Sequence, residues 1–179
     1  MFKSIFVKYI TAFMLINIVS IFLSTSIITS LVNVYDDNNK TRTLANITYN
    51  TSEFIVNDYK ESGEMVFNDY LTRRVVLLEP VLDAMVASFD NVTLYVADGM
   101  GRVMLVGGAD KAQINGDHVY PAELNEVVAA NEQISRYDRI EGFFEEKHRI
   151  YITPIATTDG RVVGSVMATT ANTDMDELL

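Results

Sequence analysis

The residues best suited to ligand chemistry lie in the last third of the chain, where arginines stand among hydroxyl-bearing side chains. Alternation along a strand places Arg149 and Tyr151 on one face of their segment. A neighbouring segment offers Tyr137 and Arg139, and the final segment offers Ser165. A guanidinium can form two parallel charge-assisted hydrogen bonds with a carboxylate. We therefore expect these five residues to bind a small anionic ligand.

We expect this pocket to lie between a sheet and the loop and helix that cover it, over residues 107–131. The alternative is that Arg149 pairs with Glu141 across a hairpin and binds no ligand. The strand alternation also predicts that Ile150 and Ile152, on the opposite face from Arg149, belong to the core.

The remaining chemistry-bearing residue types give no catalytic or metal-binding pattern. The two histidines, His118 and His148, are not accompanied by a second ligand at a zinc-binding spacing. The chain has no cysteine, and its serines lack the Gly-x-Ser-x-Gly setting of a hydrolase. We predict no catalytic site, no metal and no cofactor in this chain.

The charges of the 179-residue chain are unevenly distributed. Of the 14 basic residues, only Lys3 and Lys8 precede an apolar stretch, and all 24 acidic residues follow it. The chain from Asp36 onward therefore carries a net charge of −12. Such a surface repels phosphate backbones, so we expect no nucleic-acid partner.

The apolar stretch, residues 9–35, contains no charged residue and is long enough to cross a bilayer as a helix. Because the lysines precede it, residues 1–8 are predicted to be cytoplasmic and the following domain extracytoplasmic, in a single-pass membrane protein. A cleavable signal peptide is the alternative, although its apolar region is usually shorter.

The rest of the chain predicts an α+β domain in which helices cover a five-stranded antiparallel sheet. Residues 36–90 form an extracytoplasmic helical segment, with a break at Pro80. Residues 91–172 form the sheet, and residues 173–179 begin another helix. The predicted strands cover residues 92–96, 102–106, 135–144, 149–156 and 161–170, and a helix over 121–131 separates the second from the third.

The first helix of the extracytoplasmic segment carries an apolar stripe that has no obvious full set of partners within the domain. We therefore expect part of this stripe to meet its copy in a parallel homodimer. The stripe consists of Leu44, Ile47, Phe54, Ile55 and Tyr59.

Two hairpin sequences carry a family resemblance. The first is VTLYVADGMGRV (92–103), and the second joins YITPI (151–155) to DGRVVGSV (159–166). In this order, after a membrane helix, they resemble the extracytoplasmic PAS-like sensor domains (PDC or single-Cache type) of bacterial receptors, and most closely those of two-component histidine kinases. The resemblance implies a ligand-binding sheet, a second membrane helix after the last strand, and an output domain beyond it. We therefore expect the chain to be a receptor truncated before that second helix.

The function predicted from the sequence is thus the sensory input region of a membrane receptor. The alternative is a membrane-anchored structural or adhesive protein without an output domain. An anchored hydrolase is disfavoured because its motifs are missing.

Overall fold

The computed structural model describes residues 2–89, 91–108, 118–140, 142–144 and 146–171. These residues form three helices and five strands, which confirms the α+β class. The predicted helix start over 173–179 lies outside the described residues. The elements are α1 (Phe2–Ser62), α2 (Phe67–Val86), β1 (Val92–Asp98), β2 (Val103–Gly108), α3 (Ala122–Ala129), β3 (Ile134–Asp138), β4 (His148–Ala156) and β5 (Val162–Ala171).

The chain divides into two units, one ending at Asn39 and the other beginning at Lys40. The first unit belongs to the helix α1, whose most apolar 18-residue window has a mean hydropathy of 2.1 and no buried residue. Within the described part of the chain, α1 is the helix that is long and apolar enough to cross a membrane.

Helix α2 runs through Pro80, so the predicted break at this residue is wrong. Proline removes the backbone hydrogen bond to the carbonyl four residues earlier, which here belongs to Val76. Pro80 and Val76 are both exposed, and water can satisfy that carbonyl. On the other side of the helix, Leu78 and Leu82 are buried, and their packing offsets the lost bond.

The strands form one antiparallel sheet in the order β2-β1-β5-β4-β3. All seven residues of β1 are buried, because α2 packs on one face of this strand and the rings of Phe143 and Phe144 pack against Tyr95 on the other. By contrast, β3 is an edge strand, and four of its five residues are exposed. It ends at Asp138, six residues earlier than predicted, and the chain then turns at Ile140.

The two faces of the sheet carry separate apolar cores. Leu94, Val96 and Ile155 pack with α1 and α2, on what we call the α1–α2 face. Tyr95, Ile152 and Met167 pack with α3, on what we call the α3 face.

The apolar stripe of α1 belongs to the core of its own domain. Leu44, Ile47, Ile55 and Tyr59 are each at most 7% exposed and pack with α2 and the sheet, and Phe54 packs against them. The prediction that this stripe meets a second copy is therefore wrong. A buried hydrogen bond also ties α1 to the sheet, in which Thr153 donates to Thr48 at 2.8 Å.

Candidate functional site

The predicted anion-binding residues Arg149, Tyr151 and Tyr137 lie together on the α1–α2 face. Arg149 is the cross-strand partner of Tyr137, and its guanidinium carbon lies 5.2 Å from the centre of the Tyr137 ring. The Tyr151 hydroxyl donates a hydrogen bond to Gln133 Oε1 at 2.8 Å. Partial burial lowers the pKa of Arg149. The contact between Arg149 and Tyr137 is a cation–π pair at the start of β4.

Ser165 and Arg139 do not join this group. Ser165 is opposite Pro154 on β4 and Ala97 on β1, and it faces the α3 side of the sheet. Arg139 lies beyond the end of β3 and is exposed. The expectation that all five residues share one pocket beneath the segment 107–131 is therefore wrong. Glu141, the alternative partner of Arg149, lies outside the described residues.

The register between β4 and β5 explains this error. Directly opposed residues in an antiparallel pair point to the same face. Tyr151 is opposite Ala168, whereas Pro154 is opposite Ser165. Ser165 therefore shares its face with Ile150 and the other even-numbered residues of β4. Which residues of β4 and β5 share a face depends on how the two strands align, and the sequence of either strand alone does not reveal this.

On the α3 face, three hydroxyl-bearing residues form what we call the hydroxyl cluster: Tyr95, Tyr120 and Ser165. All three side chains are buried, with relative exposures of 0%, 3% and 1%. The hydroxyl oxygens of Tyr120 and Ser165 make no hydrogen bond of standard geometry with any described residue. Buried polar atoms normally have a partner, so these two oxygens indicate a place where a ligand could supply one.

The pKa of Tyr120 is shifted by its burial and by two hydroxyl-bearing neighbours. Burial raises the pKa of the Tyr120 phenol, and the neighbouring Tyr95 phenol contributes in the same direction. The adjacent Ser165 hydroxyl acts on the Tyr120 pKa in the opposite direction, although the two groups are not in standard hydrogen-bonding geometry. Tyr120 is therefore a neutral phenol that can donate and accept a hydrogen bond.

Backbone pairing fixes Tyr120 beside the sheet. The Val103 amide donates to the His118 carbonyl at 2.9 Å, and the Tyr120 amide donates to the Gly101 carbonyl at 2.8 Å. Gly101 has a φ of 77° in the turn between β1 and β2, a conformation that favours glycine. Pro121 then precedes α3, with the fixed φ suited to this position.

Two rings pack against the hydroxyl cluster, and we call them the aromatic wall: Phe143 and Phe144. The amides of Phe143 and Phe144 both donate to the Ile140 carbonyl at 3.0 Å, and this turn directs the two rings onto the sheet. The Phe143 ring centre lies 6.3 Å from that of Tyr95, 5.8 Å from that of Tyr120 and 5.3 Å from that of His118. These separations are typical of favourable aromatic packing.

The hydroxyl cluster and the aromatic wall together form the hydroxyl–aromatic site. Its chemistry is restricted to hydrogen bonding and apolar contact. Asp98 is the one charged residue among the buried residues that the structure describes. Its carboxylate accepts bonds from the amides of Met100 and Arg102 within the β1–β2 turn and from Asn68. Within the described ranges, no three His, Cys, Asp or Glu side chains are grouped as metal ligands.

Two cavities lie elsewhere in the domain. One, of about 280 Å³, lies between α1 and α2, and the other, of about 450 Å³, lies where α3 ends beside two hairpin turns. Their linings include no buried polar atom without a hydrogen bond among those described. The first is lined by Thr43, Asn46, Ile47, Asn50, Met85 and Phe89.

Sequence reasoning missed Tyr95, Tyr120 and the two phenylalanines. Tyr95 is a phenol in the middle of a fully buried strand, which is a usable signal of a functional position. Tyr120 gives a weaker signal, since it stands in a loop before proline. Phe143 and Phe144 were predicted to lie in a strand, because a short apolar pair does not reveal a turn.

The fold is similar to that of solved sensory domains. An extracellular ligand-binding receptor from Desulfohalobium retbaense DSM5692 matches with a TM-score of 0.53 at 11% identity, over 77% of this chain and 24% of that one. The E. coli DcuS sensor domain matches with a TM-score of 0.44 at 14% identity, over 67% of this chain and 90% of that one. The extracellular domain of the putative histidine kinase rpHK1S-Z16 matches with a TM-score of 0.40 at 12% identity, over 78% and 59%.

No protein-family model matches the sequence, and no curated protein shows significant sequence similarity to it. The structural likeness and the strand order β2-β1-β5-β4-β3 nevertheless agree with the resemblance in the two hairpin sequences. The chain has the fold of the extracytoplasmic PAS-like sensor domains.

Proposed function

We propose that the chain is the extracytoplasmic sensory input region of a bacterial membrane receptor, and that its ligand binds at the hydroxyl–aromatic site. The observation that carries this proposal is the pair of buried hydroxyls, Tyr120 and Ser165, without a described hydrogen-bond partner. Their site lies on one face of the sheet, while α1, the helix with the membrane-spanning segment, packs on the other.

A route from this site to α1 passes through the sheet. On β4, Ile152 and Pro154 lie on the α3 face, and Thr153 between them bonds to Thr48 of α1. A ligand that favours one position of β4 would therefore favour one position of α1, which is a population shift between two packings. We further propose a histidine kinase as the output, because the hairpin sequences most resemble those receptors.

Hydrogen exchange on the full chain in detergent micelles tests the site. A thermal-shift screen of small metabolites would supply the compound that stabilises the chain most. We expect this compound to slow amide exchange in residues 118–128 and 142–144, which cover the hydroxyl–aromatic site. Protection limited to residues 43–50 and 85–89, around the cavity between α1 and α2, would contradict the proposal.

We also propose that the domain lies outside the cell as a homodimer, through a surface other than the stripe of α1. Helix α2 exposes Val76 and Leu77, with relative exposures of 78% and 60%, and the neighbouring Pro80 is also exposed. Apolar side chains this exposed indicate an interaction surface when they are adjacent.

Single-cysteine variants test the location and the dimer together, because the chain has no cysteine of its own. A membrane-impermeant bis-maleimide added to intact cells should cross-link Val76→Cys and Leu77→Cys into dimers. Asn57→Cys, on the exposed face of α1, is the matched control and should be labelled without forming a dimer. An unlabelled control would contradict the external location, and equal cross-linking at all three positions would contradict the α2 interface.

A further inference from the structure

The hydroxyl–aromatic site also defines the charge of its ligand, an inference that rests on the proposed function. We propose that the site takes an uncharged small molecule, which has a compact or planar apolar body and an amide, carbonyl or hydroxyl group. This class differs from the carboxylate that the arginines of the sequence suggest.

The polar groups of the site are neutral. The buried side chains of Tyr120 and Ser165 present hydroxyls, and each hydroxyl can donate one hydrogen bond and accept others. The adjacent strand positions on this face, Thr93 and Thr169, are also buried and carry hydroxyls. Such hydroxyls can pair with an amide, carbonyl or hydroxyl group of a ligand, because a hydroxyl both donates and accepts hydrogen bonds.

The two arginines that the sequence suggests as anion ligands lie away from the site, and the imidazoles of His118 and His148 pack against the rings of Phe143 and Phe144. Arg149 is on the opposite face of the sheet, stacked over Tyr137, and Arg139 is exposed beyond β3. The one buried carboxylate, Asp98, bonds within its own turn and to Asn68, so it is not placed to neutralise a bound cation. Transfer of an ion into a buried site without a counter-charge costs far more than transfer of a neutral polar group.

The aromatic wall supplies the apolar complement. The rings of Phe143 and Phe144 meet Tyr95 at centre separations of 6.3 and 6.0 Å, with steep angles between the ring planes. The two phenylalanines are only partly buried, so this wall is the accessible side of the cluster. A flat or compact apolar body can pack against such ring faces and edges.

Three probes of nearly equal size and different charge test the inference: nicotinamide (neutral), nicotinate (an anion) and 1-methylnicotinamide (a cation). Met167 is buried on the α3 face, and the NMR signal of its methyl group reports on the site in the full chain in micelles. We expect nicotinamide to shift this signal in a saturable titration. Nicotinate and 1-methylnicotinamide should need at least ~10-fold higher concentrations, because their charge is not compensated.

Variants locate the binding. Tyr120→Phe and Ser165→Ala should each weaken nicotinamide binding about 3- to 10-fold, the usual effect of one lost hydrogen bond. Arg149→Ala should leave it unchanged. A different result is that nicotinate or 1-methylnicotinamide binds at least as tightly as nicotinamide, and that the same two variants weaken this binding. This result would overturn the ligand class and leave the location of the site intact. An unchanged Met167 signal with all three probes would also overturn the ligand class, whereas the exchange experiment on the screened compound decides the site itself.

Discussion

Replacement of Gly164 by alanine should lower the free energy of unfolding by about 3 kcal/mol or more, at the upper end of the usual cost of overpacking. Gly164 is opposite Asp98 on β1 and Ile155 on β4. A Cβ atom at Gly164 would meet the carbonyl oxygen of Ala97 and would lie 2.7 Å from a ring carbon of Phe67. The carbonyl belongs to the sheet and cannot move without breaking the β1–β5 pairing.

Urea unfolding of the full chain, followed by circular dichroism, measures this loss. Gly99→Ala is the matched control, since its Cβ would lie 3.3 Å from the nearest atom, the Val163 carbonyl oxygen. The control should lose less than about 1 kcal/mol. If Gly164→Ala were as stable as Gly99→Ala, the close packing of α2 and β1 against β5 would be wrong.

Ile152→Ala should destabilise the domain by about 2–5 kcal/mol through the cavity that it leaves. Ile152 is fully buried and stands opposite Ile134 on β3 and Met167 on β5, so its neighbours cannot collapse without moving two strands. Arg149→Ala removes a half-buried cation stacked on Tyr137 and should cost only about 1 kcal/mol.

The same urea titration compares these two variants, which differ by three positions on one strand. A larger loss for Arg149→Ala than for Ile152→Ala would contradict the assignment of the two faces. It would also show that Arg149 contributes more to the stability of the domain than Ile152 does.

The local structure was largely predictable from the sequence. Alternating apolar residues and the Asp98-Gly99 and Asp159-Gly160 turns indicate the strands, and all five are present, although β3 ends six residues earlier than predicted. The helix before the sheet was also predicted, because residues 36–62 contain neither proline nor glycine. These features depend on neighbours along the chain, which the sequence displays directly.

The arrangement across the sheet was less predictable. The last strand, β5, lies between β1 and β4, so the face on which Ser165 lies depends on two registers that no local pattern encodes. The α1 stripe was assigned to a second copy because its partners are distant in sequence, such as Leu82 and Val166. The hydroxyl–aromatic site is built from two strands and two loops, and tertiary packing alone brings these four segments together.

The most direct test of the account compares ligand affinity in two variants of the full chain. The compound selected by thermal shift should bind Tyr120→Phe/Ser165→Ala at least ~10-fold more weakly than wild type, because two buried hydroxyls lose their bonds to it. It should bind Arg149→Ala with wild-type affinity. Isothermal titration calorimetry measures both values. The opposite pattern, with affinity lost in Arg149→Ala and retained in the double variant, would place the ligand on the α1–α2 face and contradict the account.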